Sequence, residues 1–594
     1  MSQKHSLNYS DPTTTITTPK QAKKMSSNVD VPQDVKMSEP YKPDDEERDY
    51  YYFGIAGKPR LVARTSHECW SRPENTGAYT GQRRKQYLAV LEYQQDELVS
   101  RWTNDLTLAL VQALNECRWS YFFPIRIGLD DTLSSEFPTI LLIAVEEDSL
   151  QWEQGLPIAL ECRKILRDFK IADVEVEIRE GKYAHCAASA ELERQIDPKY
   201  WANEKTNKCE KTNRFALPML SFLGYNIGYS EDGKGEGSVG LHLRLGDKNS
   251  AVYGLTCRHV VFNGRHPSES YTVSEDHKQY HIQGGDSGFT KCLENLKIYQ
   301  TQLQHLINQI QRKQKEWEDC FSHVEGREHR RPTGAEIMKL AEYQTSAAYN
   351  KQVIDLCNNI SHKKDRHIGH LAFHPKMELS SERPGYLTDW GLIELDLGKF
   401  NSGPDNKVFI GTEPNDIGIS ESDLDNGFLS LHLEPEDGLD SRTFCVGKRG
   451  SRTGLTYGVM SSIEAVVRRP TYMTHHFAWE ILIVPFGDND DRVFSKPGDS
   501  GSSIFDASGK VIGLVTGNTV EPPYDEKGGW KGIPPTTRNP KKYPGGAARP
   551  EEADETPSGD LATWYTGTDI TFATPIQWVL DDIERFTGLE PRLA

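Results

Sequence analysis

The stretch Pro497-Gly-Asp-Ser-Gly-Ser502 is the most informative part of the sequence. It is followed by Ile504-Phe505 and by Gly509-Lys-Val-Ile-Gly-Leu-Val-Thr516, a pattern typical of two apolar strands joined by a tight turn. A serine between two glycines on such a turn can expose its hydroxyl group. The backbone N–H groups of Gly498 and Ser500 can then converge on a developing oxyanion. The sequence therefore predicts Ser500 as a nucleophile with an oxyanion hole beside it.

The same four letters occur a second time, at Gly285-Asp-Ser-Gly288. An ordinary turn is the alternative interpretation of any single segment of this kind. A helical pattern follows the second copy, whereas an apolar strand of the required length follows the 498–501 copy. We therefore choose Ser500 and not Ser287 as the candidate.

A nucleophilic serine needs a base, and the base needs a carboxylate that fixes its tautomer. His259 lies in Leu255-Thr-Cys-Arg-His-Val-Val261, at the end of an apolar strand, although most histidines are structural or exposed. Asp389 lies in Leu387-Thr-Asp-Trp-Gly-Leu-Ile-Glu-Leu395, where a turn enters a strand. The order His, Asp, Ser is the order that double β-barrel enzymes use for this chemistry.

These segments resemble the chymotrypsin/trypsin-like serine peptidases. The segment around His259 resembles the T-A-x-H-V element of that family, the segment from Asp389 resembles D-I-A-L-L, and the segment around Ser500 resembles the nucleophile loop. Lys448-Arg-Gly-Ser-Arg-Thr-Gly-Leu-Thr-Tyr-Gly-Val459 resembles the G-x-T-T-G-x-T-x-G hairpin upstream of the serine. Four elements in the right order make a specific pattern.

The resemblance implies an all-β, double-barrel, chymotrypsin-like domain over residues 214–589. It also implies that Thr516, Gly517 and Asn518 pair with the substrate backbone. Phe494 falls at the floor of the primary specificity pocket, which favours apolar or small side chains over Lys or Arg. No Ile-Val-Gly-Gly-like segment precedes the barrel, so we expect Asp499 to pair with something other than a new N-terminus.

Residues 290–367 interrupt this domain with a helical pattern. Leu296, Leu303, Ile310 and Trp317 recur every seven residues, which predicts a helical hairpin or coiled coil. His259 and Asp389 are 130 residues apart, and removing the insert leaves a distance that a few strands can span. The insert is mildly basic in an acidic chain, so it could contact a protein partner. Its alternative role is to shield a long loop.

Residues 521–560 are rich in Pro and Gly and predict a flexible loop.

The first 210 residues predict two further regions. The polar composition of residues 1–48 indicates a disordered tail. Residues 50–210 predict an α/β or α+β domain of unknown role, with a long helix over 85–117, strands at 122–127 and 139–145, a helix at 151–169 and a strand at 174–178. The sequence thus predicts a multidomain protein. Its architecture resembles that of intracellular fungal trypsin-like peptidases.

Composition restricts the classes of function. The chain of 594 residues has 69 Lys or Arg against 87 Asp or Glu and a net charge of −18, which argues against a nucleic-acid partner. No apolar run is long enough for a membrane span, and no secretory signal begins the sequence. Ten isolated cysteines without a Cys-x-x-Cys pair predict reduced thiols and no zinc site. We expect no cofactor, no metal, and a cytoplasmic or nuclear location.

The sequence therefore predicts an intracellular, regulatory serine endopeptidase that acts on a protein or peptide through an acyl-enzyme. The alternative is a catalytically silent scaffold or binding protein on the same fold.

Overall fold

A computed structural model of the chain describes residues 40–57, 59–71, 84–102, 104–185, 222–229, 235–246, 251–262, 269–274, 278–285, 287–321, 333–379, 385–400, 404–411, 417–433, 444–468, 477–485, 493–519 and 570–594. The predicted loop at 521–560 and the predicted boundary between 210 and 214 lie outside these residues. So does the part of the predicted tail from residue 1 to 39.

The N-terminal unit is a mixed sheet with helices. Its helices are α1 (Asp45–Tyr50), α2 (Asp96–Arg101), α3 (Asn104–Ala113) and α4 (Trp152–Asp168), and its strands are β1 (Leu61–Arg64), β2 (Lys85–Leu88), β3 (Trp119–Leu129), β4 (Thr139–Val145), β5 (Glu175–Glu180) and the two-residue β6 (Ala184–His185). Strands β4 and β5 are parallel and are joined by α4, whereas the other pairs of the sheet are antiparallel. Apolar side chains of the helices and of the sheet form one cluster, which includes Leu106, Leu141 and Leu166.

The second unit is a half-barrel of antiparallel strands. These are β7 (Asn226–Tyr229), β8 (Gly237–Ser238), β9 (Leu241–Leu245), β10 (Tyr253–Thr256), β11 (Tyr271–Thr272), β12 (Tyr280–Gln283), β13 (His367–His374) and β14 (Gly391–Leu395), with the one-turn helix α5 (Arg258–Val261) after β10. Alternate residues of these strands point inward, and Leu241, Leu255 and Leu392 are completely buried there. Strands β15 (Lys407–Phe409), β16 (Leu424–Asp425) and β17 (Phe428–Ser430) form a small separate sheet.

The third unit contains a closed barrel of six strands. The six barrel strands are β18 (Cys445–Gly450), β19 (Gly454–Met460), β21 (Phe477–Pro485), β22 (Ser503–Phe505), β23 (Val511–Asn518) and β24 (Thr571–Pro575). Strand β20 (Ala465–Arg468) pairs with β21 outside this ring. Helix α8 (Ile576–Thr587) and β25 (Pro591–Leu593), which pairs with β9, follow β24. The barrel closes because β21 pairs with both β19 and β24. Phe505 and Leu514 of this barrel share one apolar cluster with the half-barrel and with α8. The protein is thus mostly β, with one closed barrel, one half-barrel and a few helices.

The N-terminal unit is not a separate domain at the level of its sheet. Strand β20 pairs with β3 of the N-terminal unit on one side and with β21 on the other, so a single hydrogen-bonded sheet runs from β1 to the closed barrel. The two regions that the sequence predicts as separate domains, 50–210 and 214–589, are thus joined by one continuous sheet. The reason is that the region around β20 presents a strand edge, which β3 completes.

Two local predictions in the N-terminal region are wrong. Residues 40–48 are not part of a disordered tail, because Asp44 caps α1 and the buried Glu47 forms an ion pair with Arg64 at 2.9 Å. The acidic segment Asp44-Asp-Glu-Glu47 is thus the start of a helix, where negative charge is favourable. The long helix expected over 85–117 begins instead as strand β2, and α2 and α3 follow it separately. The strands at 122–127, 139–145 and 174–178 and the helix at 151–169 are confirmed to within a few residues.

The predicted helical hairpin is confirmed as helices α6 (Ser287–Phe321) and α7 (Gly334–Asn359). Leu296 and Leu303 of the predicted seam are buried between the helices, while Asn350 is also buried and donates to the carbonyl oxygen of Leu296 at 2.9 Å. The hairpin ends earlier than expected, because residue 367 is the first residue of β13. Both ends of the hairpin meet at neighbouring strands, since Ile282 of β12 pairs with His367 of β13.

This connection predicts that the hairpin can be removed. Because β12 and β13 are adjacent and antiparallel, a short Gly/Ser linker in place of residues 290–360 can join them. We expect the shortened protein to lose helical circular dichroism but to unfold within about 4 °C of the full chain. A much larger fall in the unfolding temperature would show that the helices stabilise the barrels.

Candidate active site

His259 is held against Asp389 by two hydrogen bonds. The short helix α5 places the backbone N–H of His259 at 3.1 Å from Oδ1 of Asp389, and Nδ1 of the ring lies 2.7 Å from Oδ2. The carboxylate of Asp389 is completely buried, and the imidazole is only 10% exposed. Asp389 therefore fixes the orientation of the ring and the proton on Nδ1.

The other ring nitrogen of His259 faces Ser500. Nε2 lies 2.8 Å from Oγ of Ser500, which is on the loop between β21 and β22. With a proton on Nδ1, Nε2 accepts the hydrogen bond from the serine hydroxyl. The structure thus brings together the three residues that the sequence singled out, and it draws them from both barrels. The second Gly-Asp-Ser-Gly copy lies instead at the start of α6, which begins at Ser287.

Two glycines allow the barrels to approach closely beside Ser500. Gly501 has a φ of 86°, and a Cβ atom there would overlap with Thr256 and Ser238 of the half-barrel. A Cβ atom on Gly240 would overlap with the carbonyl oxygen of Gly501. The backbone N–H of Ser238 donates to the carbonyl oxygen of Ser500 at 2.8 Å. The glycine after the nucleophile is therefore required by packing and by backbone conformation.

The turn before Ser500 is organised by Asp499. Its N–H donates to the carbonyl oxygen of Lys496 at 3.0 Å, and its Oδ2 accepts from the N–H of Lys496 at 2.9 Å. Pro497 and Gly498 occupy the centre of this turn, and Gly498 has the positive φ, 110°, that a type II turn needs at its second central position. The conformation of the expected oxyanion turn is thus fixed. The role of the Gly498 and Ser500 N–H groups as oxyanion donors stays a prediction.

Asp499 is paired with the hairpin of β18 and β19, a partner that sequence reasoning did not name. The N–H groups of Arg452 and Thr453 donate to Oδ1 at 2.8 and 3.1 Å, and the hydroxyl of Thr453 donates to Oδ2 at 2.8 Å. Lys448 is completely buried and its Nζ lies 3.4 Å from Oδ2. The buried carboxylate therefore has both hydrogen-bond donors and a compensating charge, and no new N-terminus is needed.

The three residues expected to bind substrate backbone lie on β23, beside the nucleophile. Oγ of Ser500 lies 3.4 Å from the carbonyl oxygen of Thr516. The strand then continues through Gly517 to Asn518, whose side-chain amide donates to the carbonyl oxygen of Ser495 at 3.2 Å. The edge of β23 beyond Thr516 is paired with β6 in this structure. Sequence reasoning did not find β6, because it is too short to produce a pattern.

Phe494 does not have the position that we expected. Its side chain is completely buried with Val446, Ile483 and Ile504 inside the closed barrel, and the ammonium group of Lys448 lies 5.7 Å from the centre of its ring. No substrate atom can touch this ring in the observed conformation. The physical reason is that the apolar interior of the barrel competes for a large aromatic side chain. The preference for apolar or small substrate side chains stays a prediction.

Two further features bear on the chemistry of the site: the state of the cysteines and the charge state of a buried histidine. None of the six cysteines whose side chains the structure describes forms a disulfide bond. Burial lowers the pKa of His374 to about 4, and the charge of Arg258 acts in the same direction, so His374 is neutral at pH 7. Cys257, His259 and Asp389 could together offer ligands to a metal ion. However, Cys257 donates to the carbonyl oxygen of Val515 at 3.1 Å, and the other two are bonded to each other, so a metal would have to break these bonds.

The chain matches no protein-family model and no curated protein. Within the described residues, no helix combines the length and the apolar character that crossing a bilayer requires.

The buried pair of Lys448 and Asp499 predicts a strong coupling in stability. We expect Lys448→Met to lower the free energy of unfolding by roughly 3 kcal/mol, because it leaves a buried carboxylate without its cation. In Lys448→Met with Asp499→Asn both charges are gone, so the double variant should lose clearly less than the sum of the single changes. Denaturant unfolding measures all three variants.

Lys496→Met is the matched control, because this side chain is exposed and the substitution keeps the backbone N–H that donates to Asp499. Its free energy of unfolding should change by less than about 0.5 kcal/mol. Strictly additive effects of the Lys448 and Asp499 substitutions would show that the two charges do not stabilise each other.

Proposed function

We propose that this chain is a serine endopeptidase with a double-barrel, chymotrypsin-like fold. The observation that carries the proposal is the continuous chain of hydrogen bonds from Asp389 through His259 to Ser500, with distances of 2.7 and 2.8 Å. A closed six-stranded barrel, a half-barrel and the order of the three residues along the chain are all compatible with this fold.

The geometry supports acyl transfer in two steps. Oγ of Ser500 attacks the carbonyl carbon of the substrate while Nε2 of His259 takes the hydroxyl proton. The tetrahedral intermediate collapses, the C–N bond breaks, and His259 gives the proton to the departing amine. Water then attacks the carbonyl carbon of the acyl-enzyme while His259 takes a proton from it. The ester bond to Oγ of Ser500 breaks, His259 returns the proton to Oγ, and the acid is released. Asp389 stabilises the imidazolium that forms in each step.

The turn at Gly498 supports a preformed oxyanion hole. The hydroxyl groups of Ser238 and Ser451 donate to the carbonyl oxygen of Gly498 at 3.0 and 2.6 Å. These bonds fix the peptide unit between Gly498 and Asp499. Asp499 fixes the other residues of the turn through its bonds to Lys496. Donors held in place before the reaction need no reorganisation when negative charge develops. In this proposal the enzyme needs no cleavage that creates a new N-terminus.

Peptides and proteins are the proposed substrates, because the edge of β23 passes next to Ser500 at Thr516 and can pair with an extended backbone. The helices α6 and α7 project from the joint between β12 and β13 and offer a separate surface for a protein partner. A reducing compartment, cytoplasmic or nuclear, agrees with the absence of disulfide bonds among the described cysteines.

The rival function is a silent scaffold that keeps the fold without the reaction. The peptidase hypothesis and the scaffold hypothesis differ in whether Oγ of Ser500 reacts with an electrophile. A pseudoenzyme has no need of an aligned base and carboxylate, so the hydrogen bonds of His259 favour the enzyme.

A fluorophosphonate probe tests the proposal. We expect the wild-type protein to be labelled on Ser500, because an irreversible label accumulates even from a minor accessible population. Ser500→Ala should remove the label and, with His259→Ala, should lower peptide hydrolysis by roughly 10⁴- to 10⁶-fold. Ser287→Ala, in the second Gly-Asp-Ser-Gly copy, is the matched control and should change neither. A wild-type protein that resists the probe would support the scaffold.

A further inference from the structure

Strand β6 of the N-terminal unit lies on the edge of β23. The pairing is antiparallel, with His185 opposite Gly517 and Ala184 opposite Asn518. The carbonyl oxygen of Thr516, one residue before Gly517, lies 3.4 Å from Oγ of Ser500. A segment of the protein's own chain therefore runs along the strand edge that begins at the nucleophile.

The direction of the backbone groups of β23 shows which edge is occupied. The N–H of Thr519 donates to the carbonyl oxygen of Ile570, next to β24. Successive residues of a strand point their N–H and C=O groups to opposite sides. The N–H and C=O of Asn518 therefore face β6, and Ala184 directs its own N–H to β23. The hydrogen-bonding groups that an added peptide strand would use are those that face β6.

Tyr183 anchors this segment. Its ring stacks on Phe572 of β24, with 5.4 Å between the ring centres. A Cβ atom on Gly517 would overlap with the same ring, so the ring lies against the backbone of β23 where any other residue would hold it away. Ser500 has no exposed surface in this arrangement. The substrate edge is therefore occupied, and the nucleophile beside it is buried.

We propose that β6 is an internal inhibitor, a substrate-like strand that the N-terminal unit places on the substrate-binding edge. The inference rests on the proposed peptidase function and names the regulation of that same site. A strand of two residues contributes few hydrogen bonds, so a peptide substrate can displace it. Because β6 competes with the substrate for one edge, it raises the apparent KM and leaves kcat unchanged.

Two proline substitutions test this proposal in the full chain. Ala184→Pro removes an N–H that faces β23, whereas the N–H of His185 points away, so His185→Pro is the matched control. If β6 occupies the edge of β23 most of the time, the hydrogen bond from the N–H of Ala184 sets how strongly it competes with the substrate. Loss of that bond in Ala184→Pro should lower KM for a peptide amide substrate about fivefold without a change in kcat. His185→Pro should keep the wild-type KM. Equal KM values for Ala184→Pro and the wild type would overturn the proposal.

Tyr183→Ala gives a second test if Ala184→Pro does not fold, because it removes the ring that holds β6 in place. It should lower KM in the same direction, again with kcat unchanged. The fluorophosphonate probe distinguishes a failure of the proposed peptidase function from a failure of the proposed inhibition by β6. If no variant is labelled on Ser500, the proposed function fails. If all are labelled but Tyr183→Ala and Ala184→Pro both keep the wild-type KM, the function stands and β6 is not an inhibitor.

Discussion

The hydrogen bond between His259 and Ser500 is the contact on which the other features of the site depend. It spans 2.8 Å between residues that belong to different barrels, so it exists only if the two barrels are held at a fixed separation. Gly501 and Gly240 allow the backbones to approach, and the bond from Ser238 to Ser500 fixes the distance. A methyl group at either glycine would push the serine away from its base. Small residues at this interface are therefore part of the chemistry.

A second constraint acts on the turn that carries the serine. Burying the carboxylate of Asp499 costs free energy unless donors and a cation surround it, and the β18–β19 hairpin supplies both. The same contacts hold Gly498 in a conformation that few other residues adopt. We infer that the oxyanion turn is already formed in the uncleaved chain. Control of the proposed enzyme would then act on access to the substrate edge, where β6 lies, and not on construction of the site.

The site was more predictable than the arrangement around it. His259, Asp389 and Ser500 each lie in a local pattern of strand and turn that short-range physics determines, and the structure brings them together. The partner of Asp499 was not predictable, because the quoted hairpin segment carries Lys448 and Thr453 without any sign of which side they face. Phe494 was misplaced because alignment to a pocket ignores how strongly an aromatic ring favours a barrel interior. The pairing of β20 with β3 depends on long-range complementarity, which no local period records.

The most direct measurement of the central claim is mass spectrometry of the protein after reaction with an activated ester at low pH, where acyl-enzymes accumulate. The account predicts one acyl group per chain, located on the peptide that contains Ser500, and its loss as deacylation proceeds when the pH is raised. An acyl group on Ser287 or on another residue, or a chain that stays unmodified, would contradict the assignment of Ser500 as the nucleophile.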